Sequence, residues 1–355
     1  MAKKKAIGIT DDITVDIENI VSALGDSSKD GAVNFWLPTG ILLLDLAICN
    51  GMPGGKVAEF YGQSASGKSL IALSLIKSAQ QYGGTGIWID AEGGLSHSLM
   101  DLVGTSRDIG WTYKPAGSTE VTLNTIEKII ERSVDRETPT VIVLDSIAGL
   151  CPDSLCMGES EMTDPRVAGK NGYLLSWFFS RGTVSKMNGS NVYLILLNQV
   201  RNEINFFSRT PGKTWSTPGG HAVGFYSTVR LECSRIRIEE DANKKPQHSF
   251  HRVSVEKNKV GIPGREVTFP FLFRRDADIT GIDDRTTCLD YLISRKVFGQ
   301  SGAWYEFEEK KAHKKDWRQK MVEDKGFNDT IRKLVVKTYQ EEYGLLGPNS
   351  KPITM

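Results

Sequence analysis

Paired cysteines, clustered histidines and an excess of either charge are all missing from this chain. Its five histidines stand singly, and its five cysteines, Cys49, Cys151, Cys156, Cys233 and Cys288, form no CxxC pair. That pattern argues against a metal site built from these residues and for free thiols in a reducing compartment. No apolar run is long enough to span a bilayer. The basic start, Met1-Ala2-Lys3-Lys4-Lys5, leads into no apolar signal core. No membrane partner is therefore expected, and the expected compartment is the cytoplasm. Lys and Arg number 44 and Asp and Glu 43, a net charge of +1. Global charge does not point to nucleic acid, so any polyanion contact must come from local clusters. Repeats and low-complexity tracts are absent too. What is present is a globular composition, 39% hydrophobic and 25% charged over 355 residues, enough for about two domains with a sizeable core.

The most specific feature is Gly62-Gln63-Ser64-Ala65-Ser66-Gly67-Lys68-Ser69, spaced as Gly, four residues, Gly, Lys, Ser. An apolar run at 57–61 precedes it and reads as a strand. Leu70, Ile71, Leu73, Leu75 and Ile76 follow at the spacing of one side of a helix. Strand, loop and helix together are the context in which such a loop binds phosphate. Its glycines let the backbone close tightly, so that successive N–H groups and the positive end of the helix face an anion. Lys68 brings a charge to the β- and γ-phosphates, and the Ser69 hydroxyl is a ligand for Mg²⁺. Gly62 through Leu70 are the expected nucleotide contacts.

Residues 1–35 read as a small appendage. Ile17, Ile20, Val21 and Leu24 form the apolar side of a short helix, and a polar, glycine-containing stretch at 25–31 leads onward. From 36 to 275, strand and helix alternate. Strands are expected at 57–61, 86–90, 140–144 and 192–197, with so few polar residues that both faces must be covered. Helices are expected at 70–81, at 119–134 with Ser118 or Thr119 as N-cap, and at 167–187. This order predicts an α/β fold with a mostly parallel sheet between helices, and binding residues at the carboxyl ends of the strands. Runs at 227–238, 250–260 and 266–273 read as antiparallel strands extending the sheet. Charge and turn residues rise over 274–284 and predict a domain boundary, with residues 276–355 forming a smaller α+β unit with helices near 286–295 and 328–343.

Three strand ends carry candidate chemistry. Asp90-Ala91-Glu92 follows the second strand, where a carboxylate can polarise a water for attack on a γ-phosphate. The apolar strand at 141–144 ends in Asp145, which would sit beside the metal and accept hydrogen bonds from its waters or from Ser69. The strand at 194–197 ends in Asn198-Gln199-Val200-Arg201, where a neutral amide can sense the γ-phosphate without a proton equilibrium. Beyond it, residues 202–220 have no periodicity and mix Arg209 and Lys213 with Phe206, Phe207 and Trp215. Basic residues interleaved with aromatics suit a single-stranded nucleic acid. A second irregular stretch, 155–166, is acidic and a poor phosphate binder unaided. Lys257 and Lys259 share one face of a strand and could reach a phosphate across a subunit boundary. Lys310, Lys311, Lys314, Lys315, Arg318 and Lys320 form a basic cluster that is either a solvated face or a duplex contact.

Taken in order, these motifs resemble the bacterial RecA recombinase family over residues 36–310. The matching stretches are 43–46, the phosphate loop, Asp90-Ala91-Glu92, 141–146, Asn198-Gln199-Val200-Arg201, Gly219-Gly220, 225–230, Lys257-Asn258-Lys259 and Gly302-Ala303-Trp304-Tyr305. The resemblance implies a RecA-like P-loop ATPase core with small terminal appendages. It implies Glu92 as the water-activating glutamate, Asp145 as the carboxylate behind the metal, and Gln199 as the amide coupling γ-phosphate to the following DNA-binding loop. It implies that Lys257 and Lys259 reach the neighbouring subunit's ATP, and that 155–166 and 202–220 are the two DNA-binding loops. Arg166, Lys170, Arg201, Phe206, Phe207, Arg209, Lys213, Trp215, Gly219 and Gly220 are then the expected DNA contacts. The implied partners are single-stranded DNA, a homologous duplex and further copies of the chain, with residues 1–35 packing on the next subunit of a helical filament.

The sequence also departs from the family pattern. Ser64 stands where glutamate is common, Leu99 falls near the tyrosine expected to stack on adenine, and Gly224 replaces a lysine before Phe225. The second loop is about three residues longer, and 349–355 lacks a strongly acidic tail. Such divergence would suit a bacteriophage-encoded relative. The leading expectation is an ATP-dependent strand-exchange protein with DNA-stimulated ATP hydrolysis. A helicase or motor on the same core, and a nucleotide-gated scaffold that only coats DNA, are the alternatives.

Overall fold

A computed structural model of the chain describes residues 33–156, 169–202, 215–276 and 279–344. The N-terminal helix expected from Asp16 to Leu24, the linker at 25–31 and the terminal residues 349–355 lie outside the described residues.

Nine strands form one sheet: β1 (Lys56–Gly62), β2 (Thr85–Asp90), β3 (Trp111–Pro115), β4 (Thr140–Asp145), β5 (Val192–Gln199), β6 (Val229–Glu240), β7 (Pro246–Asn258), β8 (Glu266–Asp276) and β9 (Ile279–Ile282). Their order across the sheet is β9-β8-β7-β6-β1-β5-β4-β2-β3. The strands from β6 through β1 to β3 pair in parallel, and β7, β8 and β9 add antiparallel strands beyond β6. The fold is therefore α/β, with a mostly parallel sheet extended on one side. Of the runs expected to be antiparallel, 227–238 is so only toward β7. Toward the core it runs parallel to β1, with Arg230 level with Glu59.

Alternation along the central strands sorts their side chains onto two cores. On one face Ala58, Phe60, Trp88, Val141, Val143, Ile195 and Leu197 pack together, and on the other Val57, Ile89, Ile142, Leu144, Leu194 and Leu196. Helix α1 (Leu42–Ile48), α2 (Lys68–Gln81) and α3 (His97–Val103) cover the first face, and α4 (Thr119–Ser133) and α5 (Lys170–Phe178) the second. Ser118 caps α4 by accepting from the Val121 N–H. Helix α2 was expected to bury one side, yet it is buried nearly all round, and Ser74 donates its hydroxyl to the Thr39 carbonyl at 2.7 Å. The helix expected over 167–187 does not run through. Helix α5 ends at Phe178, and a wider turn through Gly182, at φ 86°, leads into the short helix Val184–Met187. Only glycine adopts that backbone without strain.

The main sheet continues past the boundary expected at 276, because β9 still pairs with β8. Helix α6 (Gly220–Tyr226) lies between β5 and β6; beyond β9 come α7 (Asp284–Ser294), the three-stranded sheet of β10 (Gly299–Ser301), β11 (Trp304–Phe307) and β12 (Lys310–His313), then α8 (Lys314–Glu323) and α9 (Lys325–Tyr343). Leu289, Leu292, Trp317, Phe327 and Ile331 from this part join the same apolar cluster as α1 and α2. Asp284 locks the junction. It accepts from the Leu42 N–H at the start of α1 at 2.8 Å, and Arg332 of α9 pairs with its other oxygen. No helix among the described residues is long and apolar enough to cross a membrane.

Candidate active site

The carboxyl ends of β1, β5, β4 and β2 stand side by side, since these strands are parallel neighbours. Gly62 is level with Gln199, and Asp90 with Asp145. The phosphate loop leaves β1 at Gly62 and enters α2 at Lys68, with Gly67 as N-cap at φ 101°. Gly62 presses so closely on the next strand that a Cβ would lie 2.1 Å from the Cys233 carbonyl. Lys68 Nζ bonds the Gly62 carbonyl at 3.1 Å, the Gln63 carbonyl at 2.7 Å and Ser66 Oγ at 3.3 Å. Burial pushes its ammonium below the usual lysine range, against the pull of Asp145 and Glu92.

Asp145 lies beside the Ser69 side chain, whose hydroxyl favours the carboxylate. Burial, then the nearby charges of Glu92 and Asp90, raise its carboxyl to about 7, with Lys68 and Ser69 pulling the other way. Hydroxyl and carboxylate oxygens are the hard donors that Mg²⁺ takes together with phosphate oxygens, and a divalent charge here would return Asp145 to its anion. The described residues contain no group of three or more His, Cys, Asp or Glu side chains suited to a metal. A cation held by Ser69 and Asp145 would complete its coordination with water and with oxygens of a phosphate ligand.

Glu92 lies in the turn after β2. Asp90, 4% exposed, builds that turn: its carboxylate accepts from the N–H groups of Glu92 at 3.0 Å, Gly93 at 2.7 Å and Leu95 at 3.3 Å, and from the Tyr113 hydroxyl at 3.2 Å. Glu92 Oε1 accepts from Gln199 Nε2 at 2.7 Å and from Ser146 Oγ in a short bond. Glu92 is thus tied to the first residue beyond β4 and the last of β5, the strands that lead to the two expected DNA loops.

A buried ionic pair stands behind this cluster. Glu59 on β1 is fully buried, accepts from Arg230 Nε at 2.6 Å and from Asn198 Nδ2 at 2.9 Å, and Asn198 Nδ2 also reaches the Pro218 carbonyl at 2.9 Å. The exit of the second loop is thereby fastened to the sheet.

A family model described as the RecA N-terminal domain matches residues 14–278. The chain belongs to the RecA family. It is similar to Protein RecA of Aquifex aeolicus, 31% identical over 324 residues, 90% of this chain and 87% of that relative. The Rubrobacter xylanophilus Protein RecA is 30% identical over 329 residues, 92% and 89% of the two chains. That of Treponema denticola is 32% identical over 290 residues, 81% of this chain and 66% of the relative. As a RecA-family member the chain is a DNA-dependent ATPase of homologous recombination and repair.

The other residues read as RecA-like fall as follows. Lys257 Nζ bonds the Gly224 carbonyl at 2.6 Å and the Phe225 carbonyl at 2.9 Å, and Lys259 Nζ lies 3.4 Å from the latter. Both lysines thus share one edge with Phe225, which is 68% exposed. Leu99 lines a cleft of about 260 Å³ together with Ser69, Leu70, Phe271 and Phe273. Lys170 is engaged within the chain, with Ser154 Oγ at 2.9 Å and Glu120 at 3.5 Å. Residues 201–202 and 215–216 pair as a short ribbon at the mouth of the second loop. Gly219 lies close against Ile147 and Leu175, where a Cβ would come within 3.1 Å of either side chain. Arg166, Phe206, Phe207, Arg209 and Lys213 lie outside the described residues, as do the side chains of Arg201 and Trp215.

Three residues shape this site beyond the roles expected from the sequence. Asp90 had a legible mark, an Asp at a strand end followed by a glycine three residues on, which is turn chemistry. Glu59 stood in a run read as apolar, and its partner Arg230 is far along the chain. The third, His251 on β7, has no local mark.

Proposed function

We propose that the chain binds ATP with Mg²⁺ at a seam between protomers, and that the bound γ-phosphate is communicated to the second loop through Gln199. Glu92 draws a proton from the attacking water. Lys68 and the N–H groups of the phosphate loop hold the phosphate chain, and Ser69 with Asp145 would hold Mg²⁺. That ion, when bound, neutralises charge developing on the phosphate oxygens. Gln199 serves the water-binding carboxylate and the loop at once, so a γ-phosphate oxygen competing for its amide changes both. Lys257 and Lys259 of one protomer supply cationic charge to the next protomer's nucleotide. Residues 1–35 form the oligomerisation segment of a helical filament, and the part of the chain beyond β9 forms a duplex-contacting unit beside the core. The loops at 155–166 and 202–220 take up single-stranded DNA, and base pairing with a homologous duplex reads the sequence. Free thiols suit a cytoplasmic protein.

The observation that carries this reading is the Gln199–Glu92 hydrogen bond of 2.7 Å. The deciding experiment incubates the protein with circular single-stranded DNA, a homologous linear duplex, ATP and Mg²⁺. Joint molecules and ATP turnover that rises with DNA are expected. Absence of both would sink the reading, and directional unwinding of a forked duplex by discrete rings would replace it with a motor.

A further inference from the structure

The phosphate loop rests on an imidazole that none of the motifs includes. His251, on β7, is 3% exposed. Its Nδ1 lies 2.9 Å from the Ser66 carbonyl, its Nε2 lies 2.7 Å from Ser249 Oγ, and its ring stacks on Phe269 at 5.7 Å. A carbonyl only accepts, so Nδ1 carries the hydrogen, and Nε2 of the neutral ring accepts a hydrogen bond from the Ser249 hydroxyl. The ring edge also fills the space beside Gly67, where a Cβ would come within 2.7 Å of Nδ1.

The peptide between Ser66 and Gly67 is trans. A planar trans peptide points its carbonyl and its N–H in opposite directions. Fixing the Ser66 carbonyl on β7 therefore fixes the Gly67 N–H on the far side, away from β7. Glycine at 67 offers no steric resistance to a flip of this peptide, because it adopts either sign of φ. A flipped peptide would turn a carbonyl oxygen toward an incoming phosphate. Ser66 also holds Lys68, through Oγ, so the same residue links His251 to the phosphate-facing ammonium.

We propose that His251 is a positioning residue for nucleotide binding: by donating from Nδ1 to the Ser66 carbonyl it locks the peptide whose Gly67 N–H receives phosphate. This rests on the reading of the loop as an ATP site. Its role is exerted before chemistry, on the empty loop, so it acts on affinity and leaves the water-activating apparatus alone.

The test compares His251→Phe, which keeps a ring on Phe269 without a donor, with His251→Asn, whose Nδ2 falls where Nδ1 was. Equilibrium titration with a fluorescent ATP analogue and Mg²⁺ is read beside steady-state ATP hydrolysis on single-stranded DNA. His251→Phe is expected to weaken nucleotide about tenfold, the size of one lost hydrogen bond with its acceptor left buried. KM for ATP should rise by the same factor, with kcat at saturation within about twofold. His251→Asn should recover most of the affinity. Should the Phe variant not fold, His251→Gln replaces it, because its longer amide overshoots the Nδ1 position, and Asn must then bind several-fold more tightly than Gln. Equal affinity of the donor and non-donor variants, or a fall in kcat without a rise in KM, overturns the proposal. Wild type that binds no analogue would instead refute the ATP site itself.

Discussion

Gln199 donates from Nε2 to the same oxygen of Glu92 that accepts the Ser146 hydroxyl, so three strand ends meet on one carboxylate atom. Glu92→Gln would keep the size of the side chain and remove the base. ATP turnover on DNA is expected to fall by roughly 10²- to 10⁴-fold, the range of a general base. Titration with a nucleotide analogue should find binding within a few-fold of wild type, and unchanged turnover would show that another group activates the water.

Gln199→Ala separates hydrolysis from loop control. Couplings between two ligand sites are typically about 5- to 150-fold in affinity. Fluorescence anisotropy with a labelled oligonucleotide should find such a ratio between ATP and ADP for wild type, and a ratio near one for the variant. A variant that still discriminates the two nucleotides would exclude Gln199 as the link.

Arg230→Ala strands a fully buried carboxylate. Glu59 would keep only the Asn198 amide, and removing one partner of a buried pair costs about 3 to 5 kcal/mol. Urea denaturation should register that loss. A loss below about 1 kcal/mol would mean that water takes the place of the guanidinium beside Glu59.

Stability should depend on pH through Asp45. Burial lifts its carboxyl from 3.8 to about 7, against hydrogen bonds from Thr39 that lower it. The folded state thus holds a proton that the unfolded chain releases. The contribution is whole below about pH 4, is lost as pH rises toward 7, and levels off above it, a total of about 4 kcal/mol at about 1.4 kcal/mol per unit. Asp45→Asn keeps an oxygen for the Thr39 N–H, which bonds Oδ1 at 2.7 Å. Its stability relative to wild type should therefore climb between pH 4 and 7 in urea titrations. A flat difference would show that Asp45 ionises freely in the folded chain.

The catalytic cluster was legible because its marks are local. A loop of eight residues, an Asp closing an apolar strand and an amide closing another each declare themselves within one turn of chain. The sheet then sets them level with one another. Residues that act across distance were not legible. Glu59 and Arg230 are 171 positions apart, and Ser66 and His251 are 185. Strand β3 hid because it is an edge strand with four of its five residues exposed, which leaves no apolar alternation to read. Helix α8 hid for a similar reason: only Trp317 and Met321 are buried among its charged residues. The break at Gly182 was invisible because apolar residues recur at helical spacing on both sides of it, at Leu174, Leu175, Phe178, Val184 and Met187.

Helix α1 has no capping side chain of its own, and its first amide is satisfied by Asp284, 242 residues later. On the ribosome, the beginning of this fold therefore waits for nearly its end. Until Asp284 and then Arg332 have been translated, the segment at Leu42 has an open helix terminus and a half-built apolar cluster around it. Such late closure favours slow, concerted maturation over piecemeal assembly. Nascent chains arrested before residue 284 should be cut by protease near residue 41, and chains released after residue 343 should resist.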